Sequence, residues 1–220
     1  ITEYDQLERT RTELNDRFTK LFEDNGFVLL NWGEAGKTRL FSMEPFAKPE
    51  DLKRLRPWAW KDDPVFAEFV NVIGANPVRV GAPEVYGGLQ TRMLDTVPVS
   101  ALAAVAMQWY TRLNYMAKQN LGIIIGGSVI KSEKFYALSE YDQKVLLETS
   151  ERAARAGDKL ARRDDKRAYD SLIKRGITLV DTAPHKAAWD AAAAQTRKNL
   201  TGRLYSKSLL DAVEKVVRGD

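Results

Sequence analysis

The sequence contains no cysteine and a single histidine, His185. A chain without thiols has no disulfide and no cysteine nucleophile, and one imidazole cannot build a Cys/His zinc site or a multi-histidine metal centre. Long apolar segments are missing as well. The longest, Leu121 to Ile130, is half of the about 20 residues that a membrane-spanning helix needs, and it contains three glycines and a serine.

Sequence signatures of catalysis are also lacking. There is no Gly-x-Ser-x-Gly motif, and the glycines after Leu121 do not lead into the Gly-Lys-Ser/Thr ending of a phosphate-binding loop. His185 follows Pro184 in the first turn of a predicted helix, where we interpret it as a surface residue. We therefore predict that the protein is not an enzyme and has neither a cofactor nor a metal ion.

The composition is typical of a globular protein. Of 220 residues, 44% are hydrophobic and 29% are charged. The 34 basic and 30 acidic residues give a net charge of +4, a mild excess that does not call for a nucleic acid partner.

Predicted helices and strands alternate along most of the chain. Residues 2–25 have the apolar period of one amphipathic helix, and two predicted strands, 27–32 and 38–42, flank a turn at Gly33 to Gly36. Further strands are predicted near residues 55–60, 76–80, 95–99, 112–117, 121–130 and 177–180, separated by helices whose caps include Asp63 and Ser100. The alternation favours an α/β fold with largely parallel strands, in which Leu121 to Ile130 is a buried strand.

A long helix is predicted between a capping box at Ser139 and a stop at Gly176. It would extend about 50 Å, enough to bridge two bodies. Its bases could track phosphates, but interleaved acids favour a solvated face with i,i+4 ion pairs. These bases are Arg152, Arg155, Lys159, Arg162, Arg163, Lys166 and Arg167. Two more helices follow, one from Pro184 and one capped by Ser206.

Several aromatic residues fall at predicted strand ends or helix starts, where α/β folds place ligand crevices. They are Trp32, Trp58, Trp60 and Tyr86, and core packing is the alternative for each of them. Arg39 lies next to the predicted turn. It could pair with a carboxylate through two hydrogen bonds, or it could be an ordinary surface arginine.

Four motifs in the middle of the chain carry a family resemblance. Pro49-Glu-Asp-Leu-Lys53, Gly74-Ala-Asn-Pro77, Glu84-Val-Tyr-Gly-Gly-Leu-Gln-Thr91 and Asp95 occur in this order, before the long helix. Together they resemble the DctP-type solute-binding proteins of TRAP transporters. The resemblance implies an extracytoplasmic, periplasmic receptor with a two-lobed α/β fold like that of periplasmic binding proteins. Such a receptor closes on a small ligand and delivers it to the TRAP membrane permease.

The resemblance also implies how the chain is divided. Family members are usually longer at the N-terminus, and this chain begins with Ile1 instead of Met, so we expect a fragment or processed product with an incomplete first lobe. We assign residues 1–36 and 125–164 to the rest of lobe 1 and the long lobe-spanning helix. Residues 37–124 and 165–205 are assigned to lobe 2, and 206–220 to a C-terminal helix.

Candidate ligand contacts follow from the same resemblance. Alignment on Asp51 to Lys53 puts Trp58 where most of the family has an arginine that clamps the ligand carboxylate. Val99, followed by Ser100, stands where the family has an asparagine, and Arg39 aligns with a second family arginine. The predicted site comprises Arg39, Trp58, Trp60, Val99, Ser100, Trp32 and Tyr86.

These substitutions change the expected ligand. Indole in place of guanidinium and isopropyl in place of an amide remove two hydrogen-bonding positions and add apolar area. We therefore predict an amphipathic or mostly apolar ligand, with or without one carboxylate facing Arg39. An accessory periplasmic protein is a further candidate partner. The alternative function is a periplasmic interaction protein of the same family that docks a partner through its long helix.

Overall fold

One long strand, β1 (Phe27–Ser42), organises the computed structural model, which describes residues 1–219. Strand β6 (Gly122–Lys131) pairs antiparallel with its first part, and β4 (Thr96–Ser100) pairs antiparallel with its last five residues. Thr38 pairs with both Ser100 and Gly122, so these two strands lie on opposite edges of β1. Strand β5 (Tyr115–Ala117) pairs antiparallel with the end of β1, and β7 (Thr178–Val180) adds to it in parallel.

The turn predicted at residues 33–36 is wrong, because β1 runs through this segment. The register with β6 shifts between Glu34 and Lys37, where one extra residue of β1 is absorbed in a bulge, and it also shifts between Leu29 and Asn31. Gly36 has φ +96°, and a Cβ at this position would lie 2.6 Å from the Cγ of Asp165. Of the two glycines that indicate a turn in the sequence, Gly36 therefore serves the bulge and a close approach, whereas a Cβ at Gly33 would meet no atom within 4 Å.

The expectation of largely parallel strands is also wrong. All three partners of β1 are antiparallel to it, and the parallel pairs in residues 1–219 are β5 with β7 and β2 (Trp58–Trp60) with β3 (Val78–Val80). Strand β6, predicted to be buried, is mostly exposed. It pairs with β1 on one edge, and no strand of the described part of the chain pairs with its other edge.

Helices account for most of the remaining chain. They are α1 (Tyr4–Glu13), α2 (Asn15–Asp24), α3 (Pro64–Ile73), α4 (Ala82–Gln90), α5 (Ala101–Ala106), α6 (Ser132–Tyr136), α7 (Glu140–Lys174), α8 (Lys186–Leu200) and α9 (Lys207–Arg218). Short 3₁₀ helices span Pro49–Arg54, Trp109–Arg112 and Ala183–His185. Within residues 1–219, no helix combines the length and the apolar character required to span a membrane.

Predicted caps are confirmed at four helices. The side chains of Asp63, Ser100, Ser139 and Ser206 accept hydrogen bonds from backbone N–H groups in the first turns of α3, α5, α7 and α9. The helix predicted over residues 2–25 is broken at Leu14 into α1 and α2. Asp220, the last residue of the predicted C-terminal helix, lies outside the described residues.

The core consists of two clusters on opposite faces of β1. Because successive strand residues point to opposite sides, neighbouring residues of β1 belong to different clusters. Phe41 belongs to one cluster, which includes Ala168 and Leu172 of α7. Leu40 belongs to the other, where it packs with residues from the first 3₁₀ helix, α3, β5 and β7. The second half of β1 is thus buried on both faces and fixes the position of α7.

Candidate functional site

Arg39 lies on β1 at the edge of the Phe41 cluster, directly opposite Val99 of β4. Its guanidinium is 4.5 Å from the ring centroid of Tyr169, and its Nη1 donates to the backbone oxygen of Lys118. Its Nε is buried and has no hydrogen-bond partner in residues 1–219. Within residues 1–219 Arg39 forms no ion pair. Its positive charge therefore lies beside the apolar side chain of Val99 without a negatively charged partner.

Val99 and Ser100 are both buried. Val99 is part of the Phe41 cluster and only 5% exposed. The Ser100 Oγ accepts from the backbone N–H of Ala103 at 3.3 Å, which caps α5, and its Cβ faces Gly36. Val99 can therefore supply an apolar surface, while the hydroxyl of Ser100 is already engaged in a structural bond.

Trp58 packs inside the Phe41 cluster and is 7% exposed. Its indole Nε1 donates to the backbone oxygen of Val80 at 3.0 Å, and its ring meets Trp109 edge-on at 5.3 Å. Tyr86 packs against the same cluster, and hydrogen bonds to Thr111 and Arg112 lower the pKa of its phenol. Trp58 and Tyr86 therefore pack in or against the hydrophobic core, which is the alternative to a ligand-binding role.

The two remaining aromatic residues lie apart from this group. Trp60 ends β2 with 52% of its surface exposed. Trp32 lies on the first half of β1, between the rings of Phe18 and Phe22 at 5.6 and 5.9 Å. The structure thus brings together Arg39, Val99, Ser100, Trp58 and Tyr86 around one cluster, but not Trp32 and Trp60.

Asp165 is a residue that the sequence interpretation missed. It is 5% exposed, and its carboxylate accepts from the backbone N–H groups of Lys37 at 3.1 Å and Leu102 at 3.0 Å. It therefore ties α7 to the bulge of β1 and to the start of α5. Its spacing to Ala168 and Leu172 on a helical face could have indicated burial, although the surrounding charges suggested a solvated face.

A buried ion-pair cluster lies on the other side of the bulge. The side chain of Glu34 is fully buried and contacts Arg11 of α1 at 2.9 Å and two nitrogens of Arg162 of α7 at 2.7 Å each. These bonds raise the pKa of the Arg162 guanidinium. Asp158 also pairs with Arg11, and burial together with the charge of Glu34 raises the pKa of its carboxyl. The cluster fastens both helices to β1.

The other bases of α7 mostly follow the predicted solvated face. Lys166 pairs with Asp170, Arg155 pairs with Glu151, and Arg163 pairs with its neighbour Asp164. Arg162 is the exception because it turns inward to Glu34. His185 is exposed, as predicted for a surface residue.

Tyr4 stands next to this cluster. Its ring lies between the charged groups of Lys37 and Arg162, at 5.2 and 4.3 Å from the centroid. Burial, together with the negative charges of Asp165 and Glu34, raises the pKa of its phenol to about 12.

Two cavities adjoin these residues. One of about 580 Å³ is lined by Leu40, Phe46, Trp189 and the Lys118 peptide that Arg39 contacts. The other, of about 880 Å³, is a groove between α1, α2 and α7 on the first half of β1. No group of three or more His, Cys, Asp or Glu side chains suited to a metal ion occurs within residues 1–219.

Comparisons with known proteins agree on one family. A family model described as DctP, bacterial extracellular solute-binding protein, family 7, matches residues 1–202. The 2,3-diketo-L-gulonate-binding periplasmic protein YiaO of Escherichia coli (strain K12) is 28% identical over 195 residues, covering 86% of this chain and 58% of that protein. The ectoine-binding periplasmic protein TeaA of Halomonas elongata is 29% identical over 149 residues, covering 64% of this chain and 41% of that protein.

The fold is shared with solved structures. The periplasmic ectoine-binding protein from the TeaABC TRAP transporter of Halomonas elongata superposes with a TM-score of 0.91 at 20% sequence identity, covering 100% of this chain and 73% of that one. This chain spans about half the length of the curated relatives it matches, 58% and 41% for the two named above.

Proposed function

Since the chain belongs to the bacterial extracellular solute-binding protein family 7, we propose that it acts as the extracytoplasmic receptor of a TRAP-type transporter. In this role it captures a small organic ligand in the periplasm and delivers it to the membrane permease without covalent chemistry. The proposal rests on the surroundings of Arg39. This cation lies next to buried Val99, and its buried Nε has no hydrogen-bond partner within residues 1–219.

Lobe closure is the proposed mechanism. We keep residues 1–36 and 125–164 as lobe 1, 37–124 and 165–205 as lobe 2, and 206–220 as the C-terminal helix. The bulge of β1 at Glu34 to Lys37 lies at the proposed boundary, and a bulge is a natural place for a strand to bend. A ligand that contacts both lobes would favour the closed state by its differential affinity for that state.

The ligand is proposed to carry one carboxylate and a larger apolar part. Nη1 of Arg39 donates to the backbone oxygen of Lys118, a neutral acceptor. A ligand carboxylate in place of this oxygen would accept a stronger, charge-assisted hydrogen bond. Trp58 and Val99 leave the surroundings apolar, so a compact dicarboxylate would have a second charge without a partner. The ligand named for the Escherichia coli relative, 2,3-diketo-L-gulonate, is a carboxylate, which supports the anionic group.

Trp60, Tyr86, Ser100 and Trp32 keep only secondary roles in this proposal. Trp60 is exposed and suits the rim of the site, and Ser100 holds α5 in place. Tyr86 supports Trp58 through the shared cluster. Trp32 would approach a ligand only through the movement of lobe 1.

The test begins with the compounds that co-purify with the protein. Mass spectrometry of small molecules released by denaturation, compared with a mock purification, should identify an amphipathic monocarboxylate. A short dicarboxylate would contradict the apolar site built on Trp58 and Val99. The same compound, added back, should raise the melting temperature of the protein, because a ligand that binds only the folded state stabilises it.

The role of Arg39 is tested by substitution. Arg39→Gln should weaken binding of the identified acid about tenfold or more, since it removes a charge-assisted bond. Arg203→Gln is the matched control, because Arg203 is exposed and lies in the turn after α8. Equal affinities of the two variants would contradict the assignment of Arg39.

A further inference from the structure

Three chain segments cross the proposed boundary between the lobes, and they run beside one another. Strand β1 crosses it after Gly36, β6 after Ile124 and α7 after Asp164. Lys37 of β1 pairs with Ile123 of β6, and α7 packs along β1. Any change in the angle between the lobes must therefore bend these three segments at the same level.

Asp165 holds α7 to β1 directly on the lobe 2 side of this boundary. Its Oδ2 accepts from the backbone N–H of Lys37 in β1, and its Oδ1 accepts from the backbone N–H of Leu102 in the first turn of α5. We call these two bonds the Asp165 anchor. Because a carboxylate accepts them, they are stronger than hydrogen bonds between neutral groups. One side chain of α7 thus holds both β1 and the start of α5.

The position suits a carboxylate and not its amide. An aspartate has acceptors on both oxygens, whereas an asparagine has one acceptor oxygen and an NH₂ group that only donates. The two backbone donors reach different oxygens of Asp165, so an amide would turn its NH₂ group towards one of them. The space is also confined, because Asp165 is 5% exposed and a Cβ on Gly36 would lie 2.6 Å from its Cγ. The anchor therefore depends on this carboxylate and on the glycine beside it.

A second anchor joins the same two segments on the lobe 1 side. The buried carboxylate of Glu34 accepts from two nitrogens of Arg162 at 2.7 Å each, and we call this pair the Glu34 anchor. Between the two anchors, β1 and α7 each have two residues. These residues are Ala35 and Gly36 of β1 and Arg163 and Asp164 of α7. The proposed lobe boundary therefore falls in the gap between the anchors.

The two segments differ in stiffness within this gap. On β1 the gap contains Gly36, with φ +96°, and the register shift between Glu34 and Lys37, and a bulge of this kind lets a strand bend. Helix α7 is continuous through the gap and has neither proline nor glycine there. Sharp helix kinks usually need such residues. The helix is therefore the stiff segment at the boundary, and the bulge of β1 is the soft one.

We propose that Asp165 is a positioning residue that couples the stiff helix α7 to the soft bulge of β1 and thereby limits the range of angles between the lobes. The inference rests on the proposed lobe closure, but Asp165 acts without contacting a ligand. With the Asp165 anchor intact, β1 bends only between the two anchors and only as far as α7 bends with it. Without this anchor the bulge moves independently of α7, and the lobes sample a wider range of angles.

The experiment measures the spread of distances between the lobes in protein refolded from urea to remove bound compounds. Because the chain has no cysteine, spin labels attach only at introduced cysteines. Lys20→Cys in α2 with Asn71→Cys in α3 puts one label on an exposed position of each lobe. Asn71→Cys with Gln90→Cys in α4 reports on lobe 2 alone. In pulsed electron paramagnetic resonance, Asp165→Asn should broaden the first distance distribution and leave the second unchanged.

Amide hydrogen exchange gives a second, local measurement. Asp165→Asn should speed exchange of the Lys37 or the Leu102 amide about tenfold or more, because one of these N–H groups loses its acceptor. Asp165→Ala should speed both, and it has no amide group to oppose a donor. Asp170→Asn is the matched control, since Asp170 also lies on the lobe 2 part of α7 but pairs with Lys166 of the same helix.

Circular dichroism reports whether each variant is folded. An inter-lobe distribution that stays as narrow in both Asp165 variants as in the wild-type protein would overturn the proposal. Equal broadening in Asp170→Asn, or equal broadening within lobe 2, would overturn it as well, because the effect would then be general loosening. No ligand is present, so these outcomes are separate from those of the Arg39→Gln test.

Discussion

Glu34→Gln is expected to be the most destabilising conservative change in the ion-pair cluster. The Glu34 side chain has no exposed surface, and its two arginine partners are only 15% and 28% exposed. Removing one partner of a buried ion pair typically costs about 3–5 kcal/mol, because the other charge is left buried. Glutamine keeps one acceptor oxygen, and Arg162 still pairs with Glu8 at 2.6 Å, so we expect the lower end, about 3 kcal/mol.

Urea unfolding followed by tryptophan fluorescence and circular dichroism gives the free energy of unfolding. For a chain of this size, 1 kcal/mol lowers the melting temperature by about 2–4 °C, so the loss should reach about 6–12 °C. Glu133→Gln is the control, since Glu133 is 81% exposed and should change stability by less than about 0.5 kcal/mol.

A double-mutant cycle separates the ion pair from its surroundings. In the Arg162→Gln background, Glu34→Gln should cost at least about 1 kcal/mol less than in the wild-type protein, because the two residues share two hydrogen bonds. A loss below about 1 kcal/mol for Glu34→Gln alone, or strictly additive losses, would refute the role of this cluster in holding α1 and α7 to β1.

Three further predictions concern single residues. Gly36→Ala should cost about 2 kcal/mol or more in urea unfolding, because the new Cβ would meet Asp165 at 2.6 Å in a backbone conformation with positive φ. Tyr4→Phe should remove an ionisation near pH 12 from the ultraviolet titration. Because folding raises the pKa of the Tyr4 phenol from 10.0 to about 12, the protonated phenol stabilises the folded protein, and this contribution is lost as the pH rises from 10.0 to about 12. Trp58→Phe should cost about 1–2 kcal/mol through its lost hydrogen bond, and Trp60→Phe less than about 0.5 kcal/mol; equal losses would contradict the burial difference.

The helices were predictable because their signals are local. Asp63, Ser139 and Ser206 each cap a helix through a backbone group two or three residues away. Sheet topology depends on pairing between distant segments, and local composition does not record it. Gly33 to Gly36 therefore indicated a turn, although the partner of this segment lies about 90 residues later in β6.

The same difference between local signals and long-range contacts applies to the candidate site. The resemblance put Arg39 and Val99 in the same predicted site, and the structure pairs these two residues across β1 and β4. Lys118, Tyr169 and Asp165 escaped notice because each acts through a contact that depends on the fold: a backbone oxygen, a ring face and a carboxylate turned inward from a charged helix. Residue type alone does not reveal such roles.

The contacts of α7 explain how a ligand at Arg39 could influence both proposed lobes. Tyr169, which stacks on Arg39, lies one turn of α7 beyond Asp165, which is bonded to the bulge. On the other side of the bulge, Arg162 holds the same helix to Glu34. A shift of the Arg39 guanidinium towards a ligand therefore acts on a helix anchored on both sides of the proposed hinge. The Glu34–Arg162 pair lies within proposed lobe 1, so Glu34→Gln should loosen this anchor of α7 without removing a ligand contact, and titration calorimetry of the variant with the identified ligand should show weaker binding than for the wild-type protein.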